Sequence, residues 1–227
     1  MIKVKWVLLI LAIVSLVVGG ACDGEGPHIS VDRQKIVDYS IVNMVEERTD
    51  EARILKYQVV IEEPAGADEL KETAKKIVDE AIDEEDDFNC LSIFLYDREE
   101  LTIGGHTLGR VDYTLDGNPA KAEDIEAGDY NNMEFGWRVM EKDWGQQPSA
   151  RDVEIYAEWY ELYREIEEAL EEGEEVAEHL VIEDHSGKRV RQQGVDQEIA
   201  DKFGVSEDRI NDIFMDITEW KQLDLSR

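Results

Sequence analysis

Two stretches of the chain alternate apolar and polar residues with a period of two, and a further stretch between them is apolar on both faces. The first runs from Leu55 to Glu62, the second from about Cys90 to Tyr96, and the third from Thr107 to Leu115. Alternation is typical of strands with one buried face, whereas the second stretch is apolar on both faces, as inner strands are. The sequence therefore predicts a small sheet with Cys90–Tyr96 inside it.

Other stretches repeat apolar residues at helical spacing. A first helix is predicted between His28 and Glu51, and a second begins at Asp68 and Glu69, whose carboxylates suit the positive end of a helix dipole. The predicted buried positions are Ile36, Val37, Ile41, Met44 and Val45 in the first helix, and Leu70, Ala74, Ile77, Val78, Ala81 and Ile82 in the second.

The strongest helical pattern follows Ser149, which forms a capping-box pattern with Asp152, and it ends at Gly173. Its apolar face is broad and aromatic, and at this spacing we expect it to pack on a sheet rather than to bind a ligand. That face consists of Val153, Tyr156, Trp159, Tyr160, Tyr163, Ile166 and Leu170. A helical hairpin closes the chain, with helices at 198–203 and 207–220 and a stop at Gly204.

The segments between these elements are less regular. Residues 116–119 have the composition of a turn, and 120–136 are predicted to form a long acidic surface loop before a short edge strand at about 135–139. Residues 173–194 fit neither period. The order of elements predicts an α+β fold with a small mixed or antiparallel sheet packed by helices. We expect one acidic domain over residues 29–227, ending in a helical hairpin at 196–221.

The N-terminus has the pattern of a secretory signal. Lys3 and Lys5 precede an apolar run, and small residues lead directly to Cys22. The tract from Val17 to Cys22 resembles a lipobox, the signal at which prokaryotic lipoproteins are lipidated on cysteine and then cleaved before it, although Gly19 stands where leucine is common. This resemblance implies a signal peptide at 1–21, a lipid on Cys22 and a polar tether at 22–28. The alternative is an uncleaved signal anchor; either way the positive N-terminal flank directs the remaining chain outward.

Acidic residues dominate the composition. The chain has 55 Asp and Glu against 24 Lys and Arg, and loss of the signal peptide with Lys3 and Lys5 changes the net charge from −31 to −33. Such charge strains a compact fold unless salt screens it, so a saline exterior is one interpretation; simple solubility outside the membrane is the other. The 42% hydrophobic content indicates a globular protein, and polyanions are poor partners for it.

The order of elements resembles that of small prokaryotic lipoprotein and cell-envelope domains of unestablished function. The resemblance rests on packing motifs between Tyr57 and Trp220 and implies no catalytic residues. These motifs are Tyr57–Val60, Leu70–Lys71, Ile93–Asp97, Leu108–Arg110, Ile155–Tyr156, Ile199–Ala200 and Gly204–Ser206.

Candidate catalytic groups are few. Cys90 lies among strand residues without an adjacent base, which favours a packed thiol. With Cys22 lipidated, no disulfide is expected. His106, on a glycine turn, could form an acid–base pair with Asp97 or Glu99, which defines an alternative function as an extracytoplasmic hydrolase.

Metal and nucleic-acid sites are not favoured by the residue pattern. The four histidines His28, His106, His179 and His185 form no close-spaced pair for zinc. Asp124, Glu126, Asp129 and Asn131 supply oxygens for calcium, but without an EF-hand pattern. The C-terminal hairpin resembles a helix-turn-helix, yet residues 196–220 carry eight acids against two cations, which would repel DNA phosphates. A membrane-tethered DNA-binding regulator is therefore the least favoured function.

The sequence thus predicts a lipid-anchored, extracytoplasmic binding module of the cell envelope. Its expected partners are the membrane, through the lipid on Cys22, and an envelope protein or peptide, but no nucleic acid. No catalytic, metal or cofactor residue is assigned.

Overall fold

The computed structural model of the protein describes residues 29–103, 105–184 and 187–221. The predicted signal peptide, Cys22 and the tether lie outside the described residues. The elements in chain order are β1 (Tyr39–Arg48), β2 (Arg53–Ile61), α1 (Ala67–Glu84), β3 (Cys90–Tyr96), β4 (Gly109–Leu115), β5 (Met133–Val139), α2 (Ala150–Glu171), β6 (Val181–Asp184), β7 (Gly187–Val190), α3 (Gln192–Phe203) and α4 (Glu207–Lys221).

Strands β1 to β5 form one mixed sheet in sequential order. Strands β2 and β3 are parallel and joined by α1, and every other neighbouring pair is antiparallel. Strand β3 lies at the centre, as its two apolar faces predicted. The α+β class is confirmed, as are the predicted strands at β2, β3 and β4 and the edge strand at β5.

Helix α1 covers one face of the sheet and forms the first hydrophobic core with it. Its first turn is closed by the Glu69 carboxylate, which accepts a hydrogen bond from the Gly66 N–H at 2.7 Å. The predicted stripe is buried from Leu70 to Ala81, with Ile82 packed at its edge. This helix and its orientation are confirmed.

The helix predicted between His28 and Glu51 is wrong, because the described part of that segment contains strand β1, at Tyr39–Arg48, and no helix. A β-bulge between Ile41 and Asn43 explains the error. Ile41 is paired with Val59 and Met44 with Tyr57, so the bulge places two residues three positions apart on the same face of the sheet. That spacing imitates a helical period, and only pairing with β2 decides between the two structures.

A second hydrophobic core is built by α2, α3 and α4. Helix α2 begins as predicted, with the Ser149 hydroxyl accepting a hydrogen bond from the Asp152 N–H at 3.2 Å. The expectation that its aromatic face packs on a sheet is wrong for the main sheet. Trp159 instead lies edge-on against Phe214 of α4, with ring centroids 4.3 Å apart. The stripe therefore served helix-to-helix packing, which has the same period.

The C-terminal helical hairpin is confirmed, with Gly204 in the left-handed conformation (φ 65°) at the end of α3. Helix α3 begins at Gln192, earlier than predicted, and the unassigned segment before it contains the β6–β7 hairpin.

The acidic segment 120–136 is only partly a surface loop. It contains short 3-10 helices at Pro119–Asp124 and Tyr130–Asn132, and it buries Ala122, Ile125 and Tyr130. The Tyr113 hydroxyl donates a hydrogen bond to the Tyr130 carbonyl at 2.9 Å and so fastens this segment to the sheet.

Candidate functional site

The face of the sheet opposite α1 carries polar side chains at its centre. Pairing aligns Gln58, Phe94, Arg110 and Arg138 in one row across β2, β3, β4 and β5. The neighbouring row aligns Lys56, Ser92, Asp112 and Gly136. We call these two rows the polar face. Directly opposed residues share a face, so these side chains meet although they lie far apart in sequence.

Asp112 is the centre of the polar face and is fully buried. Its Oδ1 atom accepts hydrogen bonds from the Ser92 hydroxyl at 2.6 Å and from Arg110 Nε at 2.8 Å. Its Oδ2 atom is buried without a hydrogen-bond partner among the described residues. Arg138 Nη2 lies 3.8 Å from Oδ2, beyond hydrogen-bond distance.

Arg110 and Arg138, here called the arginine pair, occupy directly paired positions on β4 and β5. Arg110 is held firmly, because its guanidinium also donates to the Ser92 hydroxyl at 3.2 Å and lies over the Phe94 ring, 5.0 Å from its centroid. The Arg138 side chain is 53% exposed. One guanidinium is therefore fixed beside a buried carboxylate, and the second faces solvent next to it.

His106 lies beside this site, with its ring 6.3 Å from that of Phe94. Burial lowers the pKa of His106 below its usual 6.5, and the charges of Arg110, Arg138 and Lys142 lower the pKa further, with Asp112 opposing them. A neutral imidazole next to several cations follows from this arrangement.

The acid–base pair proposed for a hydrolase is not assembled. Asp97 accepts hydrogen bonds from Thr107 Oγ1 at 2.5 Å, Gln147 Nε2 at 2.8 Å and Trp220 Nε1 at 3.0 Å. Glu99 is exposed, and no hydrogen bond among the described residues joins either carboxylate to His106. Asp97 instead connects the sheet to α4, and so joins the two hydrophobic cores.

Cys90 is a buried free thiol, and burial raises its pKa to about 11. It therefore has the packed environment that its strand neighbours predicted. Cys22, the predicted lipidation site, lies outside the described residues.

The oxygens proposed for calcium do share a surface depression. Asp124, Glu126, Asp129 and Asn131 line a cleft of about 480 Å³. Within the described part of the chain, no three Asp, Glu, His or Cys side chains are placed to hold a metal ion. Of the other predicted histidines, His179 bonds Glu198 at 2.7 Å, and His28 and His185 lie outside the description.

The C-terminal hairpin directs its apolar residues inward. Ile199, Ile210, Ile213 and Ile217 are buried in the second core. Lys202 pairs with Glu158, and Arg209 pairs with Asp152 at 2.6 Å, so these two cations of the hairpin are bound to acids of α2.

Strand β1 is a ten-residue edge strand. In the described part of the chain, no strand pairs with its outer edge. Three large apolar residues on it are exposed, namely Ile41 (39%), Met44 (55%) and Val45 (43%). Long open edges with exposed apolar residues are templates for pairing with another chain.

Sequence reasoning missed both the arginine pair and the open edge. Arg110 and Asp112 stand two apart in a predicted strand, which places them on one face, but nothing local indicated that Asp112 is buried or that Arg138 lies opposite. The open edge was hidden by the wrong helix assignment.

No helix within the described ranges has the length and apolar character needed to cross a bilayer. Comparisons of this chain with protein-family models, curated proteins and solved structures found no match.

Proposed function

We propose that this protein is a lipid-anchored binding module on the outer face of a membrane, and that it captures an extended segment of an envelope protein by adding it to the free edge of β1. The observation that carries the proposal is the ten-residue edge strand with its exposed apolar side chains. Strand addition supplies affinity through backbone hydrogen bonds and specificity through alternate side chains.

The hydrogen bonds around the β1–β2 turn indicate which backbone groups face outward. Thr49 N–H donates to the Ala52 carbonyl at 2.9 Å, and Arg53 exchanges bonds with Asn89 on the β3 side. Arg53 therefore directs its backbone away from its partner Arg48. Because the direction alternates along an antiparallel pair, Arg48, Glu46 and Met44 direct their N–H and carbonyl groups to the open edge.

The side chains along this edge favour a partner of particular chemistry. Met44 and Val45 offer apolar contacts on opposite faces of the strand. Glu46 and Glu47 are exposed beside them, where Glu46 pairs with Arg48 and Arg53 and Glu47 pairs with Lys56. An extended segment that alternates apolar residues with Lys or Arg would add to the apolar contacts and compete with these cations for the two glutamates. The net charge of −31 favours the same basic partner at long range.

The test is capture of partners from envelope extract by the full chain in mild detergent, with paired substitutions of Met44. Met44→Pro removes an outward N–H without removing a β1–β2 hydrogen bond, and proline is tolerated on edge strands. Met44→Thr removes the apolar side chain but keeps the N–H. We expect the proline variant to lose the captured partner and the threonine variant to retain part of it. Equal capture by Met44→Pro and the unchanged chain, with unchanged thermal unfolding, would refute strand addition at β1.

Attachment to the membrane rests on Cys22 and its lipobox-like surroundings, with an uncleaved signal anchor as the alternative. The expectation that nucleic acid is not a partner stays a prediction. It is supported by the pairing of Lys202 and Arg209 with acids of α2, which leaves them poorly available to phosphates. Submicromolar binding of duplex DNA at physiological salt would contradict it.

A further inference from the structure

The two positive charges of the arginine pair are balanced by fewer negative charges among the described residues near them. Like charges at directly paired strand positions repel each other. Among the described residues, Asp112 is the one acid within 4 Å of either guanidinium, and it contacts Arg110 at 2.7 Å but Arg138 only at 3.8 Å. One buried carboxylate therefore lies beside two cations, and its Oδ2 atom accepts no hydrogen bond from the described residues.

Three cations and one acid act on His106, beside the arginine pair. The charges of Arg110, Arg138 and Lys142 lower its pKa, and the charge of Asp112 opposes them. The chain as a whole has more than twice as many acids as cations. The acidic surface as a whole repels anions. A local excess of positive charge would therefore attract an anion at this place on the surface.

The fixed geometry of Arg110 makes this region suitable for recognition. Asp112 and Ser92 hold its guanidinium by hydrogen bonds, and Phe94 supports it from below. A planar guanidinium held in this way presents its remaining N–H groups in a defined direction, which is the property that favours Arg for oxyanion recognition. Ser92 and Asp112 are thus positioning residues, and the exposed Arg138 supplies a second, adjustable set of donors.

We propose that the arginine pair binds the phosphoryl group of a small soluble ligand, with oxygens accepting from Arg110 and Arg138 together. A doubly charged phosphate matches the two guanidinium groups. Its charge would favour protonation of His106, whose ring lies 6.3 Å from the Phe94 ring that packs on Arg110. The proposal is independent of strand addition at β1, because it uses the opposite end of the sheet order, β4 and β5.

The test is titration of the full chain, in mild detergent, with inorganic phosphate at constant ionic strength. Histidine resonances observed by NMR report binding, since a bound anion raises the pKa of His106. We expect saturable binding that Arg138→Gln weakens by about tenfold or more, as loss of charge-assisted hydrogen bonds does. Arg138→Lys should give an intermediate loss, because it keeps the charge but not the fork.

Arg164→Gln is the matched control, because the Arg164 side chain on α2 is 58% exposed, close to the 53% of Arg138. It should change the affinity by no more than about twofold, as expected for removal of one distant, screened surface charge. Absence of saturable phosphate binding, or equal losses in both glutamine variants, would overturn the site. Stronger binding of a short-chain phosphatidylglycerol below its micelle concentration than of phosphate would show instead that the site reads a lipid headgroup, and would overturn the assignment to a soluble ligand.

Discussion

Replacing Asp97 with alanine should destabilise the protein more than any exposed acidic substitution. Three donors converge on this buried carboxylate: Thr107 next to the sheet, Gln147 before α2, and Trp220 on α4. A hydrogen bond to a charged group contributes about 1.5–3 kcal/mol, and buried donors left unpaired add a desolvation cost. Allowing for non-additivity and for water entering the site, we expect Asp97→Ala to cost about 3–5 kcal/mol.

The substitution Asp97→Asn distinguishes the contribution of the hydrogen bonds to stability from the contribution of the negative charge. With its amide oxygen toward Trp220 and Gln147, Asp97→Asn keeps those two hydrogen bonds, while its NH2 group donates to the Thr107 hydroxyl, which then loses its own acceptor. It should therefore cost about 1–2 kcal/mol, less than the alanine substitution, for replacing a charged acceptor with a neutral one and for reversing one hydrogen bond. Asp143→Ala is the control, because Asp143 is exposed and accepts one backbone bond, from the Gly145 N–H at 3.0 Å.

Urea unfolding followed by circular dichroism measures these differences without depending on tryptophan fluorescence. Trp220→Phe removes the indole N–H while keeping an aromatic ring, so a double-mutant cycle with Asp97→Ala isolates one of the three bonds. We expect a coupling free energy of about 1–2 kcal/mol. A cost for Asp97→Ala below that of Asp143→Ala, or no coupling to Trp220, would show that Asp97 does not join the two cores.

Four further outcomes are expected. Fatty-acid labelling of cells should mark the protein and disappear in Cys22→Ser; persistent labelling would exclude this lipid site. The unfolding midpoint should rise steeply with sodium chloride toward about 1 M, as screening relieves repulsion among acids; a flat response would mean that the charges are well spaced. Burial lowers the pKa of Lys221 to about 8, so between pH 8 and its unfolded value near 10.5 the unfolded chain binds more protons, and stability should rise with pH there and less so in Lys221→Met. Arg138→Gln should raise the NMR-measured pKa of His106 by removing a nearby cation; an unchanged value would place Arg138 too far away.

The sequence was sufficient to predict those elements whose structure depends only on residues close together in the chain. Strand β3, the first turn of α1 and the stop at Gly204 were predictable because hydrophobic period, dipole charges and glycine conformation act within a few residues. Strand β1 was not predictable in this way, because its bulge exists only in register with β2. The element that packs on the aromatic face of α2 was also not predictable. A helix has the same spacing of apolar residues whether it packs on another helix or on a sheet.

The candidate sites could not be predicted, because they are formed by residues that lie far apart in the sequence. Asp97 and Trp220 are 123 residues apart, so a carboxylate that looked catalytic beside His106 is bonded by an indole from the end of the chain. Arg110 and Arg138 meet through the pairing of β4 with β5 across an acidic segment of no clear period. Neither contact can be predicted from the residues that surround its members in the sequence.

Among the residues whose burial the structure describes, three aspartates are buried, and they differ in the groups that surround their charge. Asp97 and Asp196 each accept a hydrogen bond from an indole N–H, Trp220 at 3.0 Å and Trp159 at 2.7 Å. An indole is neutral, and although its hydrogen bond favours the charged form of Asp196, burial raises the pKa of that carboxyl. The charge of Asp97 also acts on Lys142 and Lys221. Asp112 alone among the three has guanidinium groups beside it, one of them largely exposed. An indole has a single N–H group, which is used up by the buried carboxylate. A guanidinium at the edge of the solvent has further N–H groups that can bind a second anion. For this reason we propose that recognition takes place at the arginines beside Asp112.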